Sequence, residues 1–289
     1  MPRKTALDLL RLKADNPESK RGHGPEKIAM VTAYDYTMAR LVDQAGVDMV
    51  LVGDSLGMVI QGQQDTLSVT LEDMAYHGRC VARGLQQAHL TVDMPFMSYQ
   101  VSAEQALTSA GYLVQKGSAQ SVKLEGGERS APAIARIVEA GIPVVAHVGL
   151  TPQSVHALGG WRVQGRGDSG AEQLRRDCLA VQDAGAFSVV FEMVPGELAA
   201  ELTELLDIPT IGIGAGPHCD GQVLVCNDLL GFDTRFKPRF VKRFAELEQP
   251  MVDAVTRYVA EVKAGSFPAR EHGFWKAKAR PEPKLAKLY

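Results

Sequence analysis

The chain has 289 residues, of which 45% are hydrophobic and 22% charged, proportions that allow a globular protein to bury a large core. A formal net charge of −3 and a pI near 6.2 exclude the strongly basic surface that nucleic acid or an anionic membrane requires. Cys80, Cys178, Cys219 and Cys226 form no C-x-x-C pair, no apolar signal core opens the chain and no window approaches a membrane span; the expectation is a cytoplasmic protein with reduced thiols and no membrane or nucleic-acid partner.

An amphipathic stretch at Leu7–Lys13 predicts a helix that covers the lower end of whatever follows. Then short apolar runs alternate with helical patterns. The runs are Ile28–Ala33, Asp48–Val52, Leu90–Asp93, Ser121–Glu125, Pro143–His147, Phe187–Glu192, Thr210–Ile213 and Val223–Cys226. They are almost continuously hydrophobic, as parallel strands covered on both faces must be. The helical stretches are Thr37–Gln44, Leu71–Gln87, Ala103–Gln115, Ser130–Glu139, Ala171–Asp183, Glu197–Leu205 and, after an irregular loop, Gln249–Lys263. Gly46, Gly117, Gly141 and Gly185 follow helix ends, where positive φ suits glycine. Eight strand-then-helix units predict an α/β fold, a closed (β/α)8 TIM barrel, over an open doubly wound sheet. Residues 1–289 then form one barrel domain, with a helical extension at 1–26 and a tail at 265–289. The 60–70 connection is long, with Gly62 as a possible hinge, and reads either as a lid over the mouth or as a rigid packed loop.

Polar residues fall at strand ends. Asp54 follows the second strand; Asp93, Glu125, His147 and Glu192 end the third to sixth. In a parallel barrel these ends surround one mouth. Asp54, Asp93 and Glu125 offer hard oxygen ligands suited to Mg²⁺. Lys123, two residues before Glu125, points the same way; it is either a salt-bridge partner of Glu125, a layer filler, or an ammonium for a substrate carboxylate or enolate. His147 is either a hydrogen-bonded core residue or a site residue. Glu192, set in apolar FSVVF, suits a general base with a raised pKa, or else pairs with Arg162 or Arg166. The Gly212-x-Gly214-x-Gly216 run lacks dinucleotide-binding spacing and reads as a turn or a close backbone approach.

The run from Lys27 to Gly84, together with MPFMSYQ (94–100), VKLEGG (122–127), HVGLTPQSV (147–155), VQGR (163–166) and GIGAGPHCDGQVLVCNDLLG (212–231), resembles the ketopantoate hydroxymethyltransferase family. The resemblance covers roughly Lys27 to Leu247. It implies a barrel of the phosphoenolpyruvate/pyruvate-like superfamily, acting in pantothenate biosynthesis on 3-methyl-2-oxobutanoate. It further implies Mg²⁺ on Asp54, Asp93 and Glu125, oxo-acid contacts from Asp54, Ser55, Asp93 and Lys123, and a place for His147 beside the substrate. Glu192 is then the base, 5,10-methylenetetrahydrofolate the one-carbon donor, and the assembly a large ring-based homo-oligomer. Ala146, Met94 and the FEMVP run (191–195) depart from the family pattern without removing a functional group. The alternative is a Mg-dependent 2-oxo acid lyase or mutase of the same superfamily that uses no folate; the K-x-C-G-H type of segment that such lyases carry is absent from the sequence.

Overall fold

The computed structural model describes residues 2–14, 26–233 and 238–275. Eight strands close into a parallel barrel in sequence order, with β8 returning to β1. They are β1 (Ile28–Thr32), β2 (Met49–Val52), β3 (His89–Asp93), β4 (Ser121–Glu125), β5 (Val144–Gly149), β6 (Ser188–Glu192), β7 (Thr210–Ile213) and β8 (Gly221–Leu224). The helices are α1 (Ala6–Ala14), α2 (Tyr36–Gln44), α3 (Leu56–Val59), α4 (Leu71–Gly84), α5 (Ala103–Gly117), α6 (Ala131–Glu139), α7 (Gly167–Asp183), α8 (Gly196–Leu205), α9 (Cys226–Leu230) and α10 (Glu248–Lys263).

Side-chain parity explains the barrel. Leu90, Val92, Val122, Leu124, Val144, Ala146, Val189 and Phe191 alternate outward and are fully buried beneath the helices. Their neighbours point inward. At the floor, beside the hydrogen-bonded group His89, Ser121 and Thr91, Ile28, Met30, Met49, Leu51, Val145, Val190, Ile211 and Val223 form one apolar cluster. Leu9 of α1 joins it from below, with no exposed surface. Burying such a leucine contributes about 1.5–3 kcal/mol. Lys4 to Asp48 and Lys13 to Asp220 (2.9 Å) tie the same segment to the floor. Residues 15–25 of the expected N-terminal extension, and 276–289 of the expected tail, lie outside the described residues.

Two local expectations differ from the structure. The eighth strand begins at Gly221, two residues earlier than the apolar run implies. A Cβ at Gly221 would stand 2.5 Å from the Ile28 carbonyl oxygen, so glycine is what admits the β1–β8 pairing. Cys226 consequently opens α9, where a loop is expected. Gly117 ends α5 inside the helix and packs against Ala75, with Gly78 touching it from α4; Ser118 takes the left-handed cap at φ 59. In the 60–70 segment Thr66 and Val69 are buried, with Val69 against Gly57, while residues 60–64 are exposed.

Among the described residues the helical jacket does not close. Packed neighbours run α2–α4–α5–α6–α7–α8 around the barrel. On the outer faces of β1 and β8, by contrast, Ala29 and Gln222 are exposed and Val31 and Leu224 only half-buried. The remaining long helix, α10, has no buried residue.

Candidate active site

Register brings the expected residues together. Asp93 lies beside Lys123 across β3–β4, Glu125 beside His147 across β4–β5, and Glu192 beside Gly149 across β5–β6. Residues paired in a parallel sheet face the same way, so these side chains converge above the floor. Asp54 and Ser55 reach the same mouth from the turn after β2. That turn needs Gly53, where a Cβ would sit 2.8 Å from Ser55 Oγ.

The contacts form one buried network. Lys123 Nζ lies 2.7 Å from Asp93 Oδ1; Asp93 Oδ2 accepts from the Asp54 N–H at 3.0 Å. The partner of Lys123 is therefore Asp93, not the Glu125 that its strand spacing suggests. Lys123 Nζ also faces His147 Nδ1 at 3.4 Å. With the ammonium donating there, the imidazole proton sits on Nε2, which lies 3.2 Å from Glu192 Oε2 without an aligned hydrogen bond. Glu192 therefore meets His147 rather than an arginine. Tyr34 and Ser55 share a hydroxyl hydrogen bond of 2.9 Å, which orients Ser55.

Burial sets the charges. It pushes the Glu192 carboxyl up to about 7, with Lys123 opposing. It does the same to Asp93, up to about 7, against the pull of Lys123. Glu125 is raised well above the usual carboxylate range by burial and then by Asp54. Burial also works against the Lys123 charge, yet Asp93, Asp54 and Glu125 outweigh it and hold the ammonium above its ordinary range. His147 is driven well below its usual value by burial and by Lys123, so it is a neutral imidazole. Among these acids Glu192 keeps the most open side chain, 14% exposed against 2–3% for Glu125 and Asp93. A weak acid titrating near neutrality, reachable from the mouth, is what a general base requires. Met193, next in the chain, holds φ at 47, a strained conformation of the kind that collects at functional sites.

Among the described residues, no three acidic, His or Cys side chains stand in a preformed metal-ligating group. The donor set still fits a hard cation. Four carboxyl groups, Asp54, Asp93, Glu125 and Glu192, face a single ammonium, and Asp93 Oδ1 is a buried oxygen with no aligned hydrogen bond. Mg²⁺ is commonly held by one or two carboxylates plus water and substrate oxygens rather than by an all-protein cage.

The glycines of the 212–216 run act in packing. Gly214, at φ +65, lies against Phe240 and Met193, and Gly216, at φ +77, lies against Gly196, which fits the turn reading. Sequence reasoning missed Gln153, Tyr99 and Tyr34. They sit in loops or a 3-10 turn, and no strand parity singles them out.

If Glu192 acts as carboxylate, kcat/KM is expected to rise about tenfold per pH unit below 7 and to level above it, because protonation at about 7 removes the active form. A profile flat from pH 5.5 to 8 would show that Glu192 does not titrate in the catalytic step.

The closed parallel barrel defines an α/β-barrel protein, and its fold is similar to that of solved mutases and lyases. Phosphoenolpyruvate phosphomutase from Streptomyces platensis subsp. rosaceus superposes with TM-score 0.60 at 14% identity, covering 94% of this chain and 92% of that one. A 2,3-dimethylmalate lyase described as a member of the PEP mutase/isocitrate lyase superfamily gives 0.56 at 17% identity, covering 97% and 93%. Within that fold, the ketopantoate hydroxymethyltransferase family model matches residues 14–270. The 3-methyl-2-oxobutanoate hydroxymethyltransferase of Syntrophotalea carbinolica is 56% identical over 94% of this chain and 98% of its own length. The chain belongs to the ketopantoate hydroxymethyltransferase family.

Proposed function

We propose that this chain transfers a hydroxymethyl group from 5,10-methylenetetrahydrofolate to 3-methyl-2-oxobutanoate, giving 2-dehydropantoate for pantothenate biosynthesis. The observation that carries the chemistry is Glu192, a partly open carboxyl held near neutrality beside neutral His147. Asp54, Asp93 and Glu125 would hold Mg²⁺. When bound, the ion supplies Lewis-acid polarisation of the keto group and so acidifies the neighbouring C3 hydrogen.

Glu192 takes the C3 proton. The Lys123 ammonium, kept charged by its carboxylate neighbours, offsets the negative charge that builds on the enolate oxygen. Neutral His147 lies 3.2 Å from Glu192 and brings no positive charge to neutralise it. Ser55, turned by Tyr34, and the Asp54 turn hold the carboxylate end of the oxo acid. The enolate carbon bonds to the one-carbon unit as the two C–N bonds of the methylene bridge break; water supplies the hydroxyl oxygen, and tetrahydrofolate leaves with one proton of that water and the proton Glu192 took. The assay is 3-methyl-2-oxobutanoate with methylenetetrahydrofolate, with Mg²⁺ and with EDTA. Product is expected only with all three components. Cleavage of an oxo acid without folate would favour the lyase or mutase alternative, of which a solved phosphomutase and a solved lyase are 14% and 17% identical to this chain.

We place the reaction in the cytoplasm, a reading supported by four free cysteines; no helix among the described residues is long and apolar enough to cross a membrane. We also propose a homo-oligomer. Met251, Val252, Val255, Tyr258, Val259 and Val262 form an exposed apolar stripe along α10, at the i, i+4, i+7 spacing of a buried helix face. The bare outer faces of β1 and β8 are where an eighth helix would pack, and a second copy's α10 supplies one. Light scattering is expected to give a multiple of 31.2 kDa, and Val255→Asp with Tyr258→Asp should shift the mass toward a single chain. A wild-type mass of one chain would rule this out.

A further inference from the structure

Gln153 lies in the 3-10 turn Pro152–Ser154 that follows β5. It is 6% exposed, and each of its polar groups has a partner in the site. The side-chain Nε2 donates to Asp54 Oδ2 at 2.8 Å and to the Met94 carbonyl at 2.9 Å. Its Oε1 accepts from the Tyr99 hydroxyl at 2.7 Å and from Gln100 Nε2 at 3.1 Å. Its backbone N–H donates to Glu125 Oε2 at 3.0 Å. Tyr99 closes the circuit, since its hydroxyl also accepts from the Glu125 N–H at 3.1 Å.

Two features of this arrangement go beyond packing. First, the amide has one possible orientation: a flip would set Oε1 against the Asp54 carboxylate and the Met94 carbonyl, two acceptors. Second, one residue engages one oxygen of each of two acids, Asp54 and Glu125, that come from different strands. The second oxygen of each acid, Asp54 Oδ1 and Glu125 Oε1, is left out of the Gln153 contacts. A carboxylate with one oxygen held by a fixed donor has its other oxygen aimed.

We infer that Gln153 is a positioning residue for the cation site: it locks the Asp54 and Glu125 carboxylates so that one free oxygen from each is presented to the metal, with Tyr99 fixing the amide that does so. Donors of this kind commonly alter metal affinity by about 10- to 100-fold when removed. The inference rests on the reading of Asp54 and Glu125 as metal ligands.

The test is calorimetric titration of Mn²⁺ and Mg²⁺ into the purified full-length protein without oxo acid, with thermal melts alongside. Gln153→Met keeps the volume and the backbone N–H but removes the donor to Asp54. It is expected to weaken both metals by about 10- to 100-fold. Tyr99→Phe leaves Gln153 in place and removes only the hydroxyl that sets its amide; it should weaken metal binding in the same direction by less. A purely structural role predicts a lower melting temperature with unchanged metal affinity in both variants, and that result would overturn the inference. If Gln153→Met does not fold, Tyr99→Phe decides: unchanged affinity there counts against the inference and weakened affinity supports it. Wild-type protein that binds neither metal would remove the ligand reading itself, and this inference with it.

Discussion

Glu192→Gln is expected to lower turnover by about 10²-fold or more while leaving oxo-acid affinity within a few-fold. The substitution keeps size and polarity and removes basicity. Lys123 and the carboxylates that would hold the metal lie on β3, β4 and the β2 turn, away from the changed atom, so substrate grip is preserved. Exchange of the C3 hydrogen of 3-methyl-2-oxobutanoate into D₂O, followed by NMR without folate, isolates proton removal from the later carbon–carbon step. Wild-type exchange in Glu192→Gln would transfer the role elsewhere. Neutral His147, 3.2 Å away, would then be the group in reach.

Replacing Asp93 is the second large effect, and here the structure changes what the sequence alone leads one to expect. Read from spacing, Asp93→Ala simply deletes a metal ligand from an intact fold. The 2.7 Å contact with Lys123, both side chains at most 6% exposed, means the alanine variant also strands a buried ammonium. Breaking a buried pair from one side costs about 3–5 kcal/mol, so Asp93→Ala should melt well below the wild type. Asp93→Asn keeps the shape and an oxygen for the Asp54 N–H, and separates the two effects. It should fold, and should lose more Mg²⁺ affinity than the roughly 10- to 100-fold typical of an outer-shell change. Calorimetric titration that finds wild-type Mg²⁺ binding in Asp93→Asn would remove Asp93 from the ligand set.

The site was readable in the sequence because barrel geometry converts position into chemistry. Asp93, Lys123, Glu125, His147 and Glu192 each occupy an inward parity at the upper end of a strand, and an ionisable residue closing an apolar run is visible without coordinates. What escaped was whatever depends on partners far away in the chain. Nothing local distinguishes Gln153 from any other glutamine after a proline; its role comes from Asp54, 99 positions earlier. The Asp93–Lys123 pairing likewise follows from register between strands rather than from spacing within one. The start of β8 hid because the residue that permits it, Gly221, carries no apolar signal. The stripe on α10 reads the same whether a helix covers its own barrel or another's.

The bare seam between β1 and β8 bears on how the ring forms. Every other neighbouring pair joins strands adjacent in the chain, and the order β1 to β8 can zip progressively. The last joint unites the two ends: the hydrogen bond from the Cys226 N–H to Thr32 Oγ1 alone spans 194 positions. Loop-closure entropy grows only logarithmically, about 0.6 kcal/mol per doubling of length, so the joint is affordable, but it is the most non-local of the strand pairings, the kind of contact that slows folding. It is also the joint with the thinnest cover. The joint where the two ends of the barrel meet is thus paired over four residues yet lightly covered from outside, and the proposed packing of a second copy there would shield the last stave of the hoop.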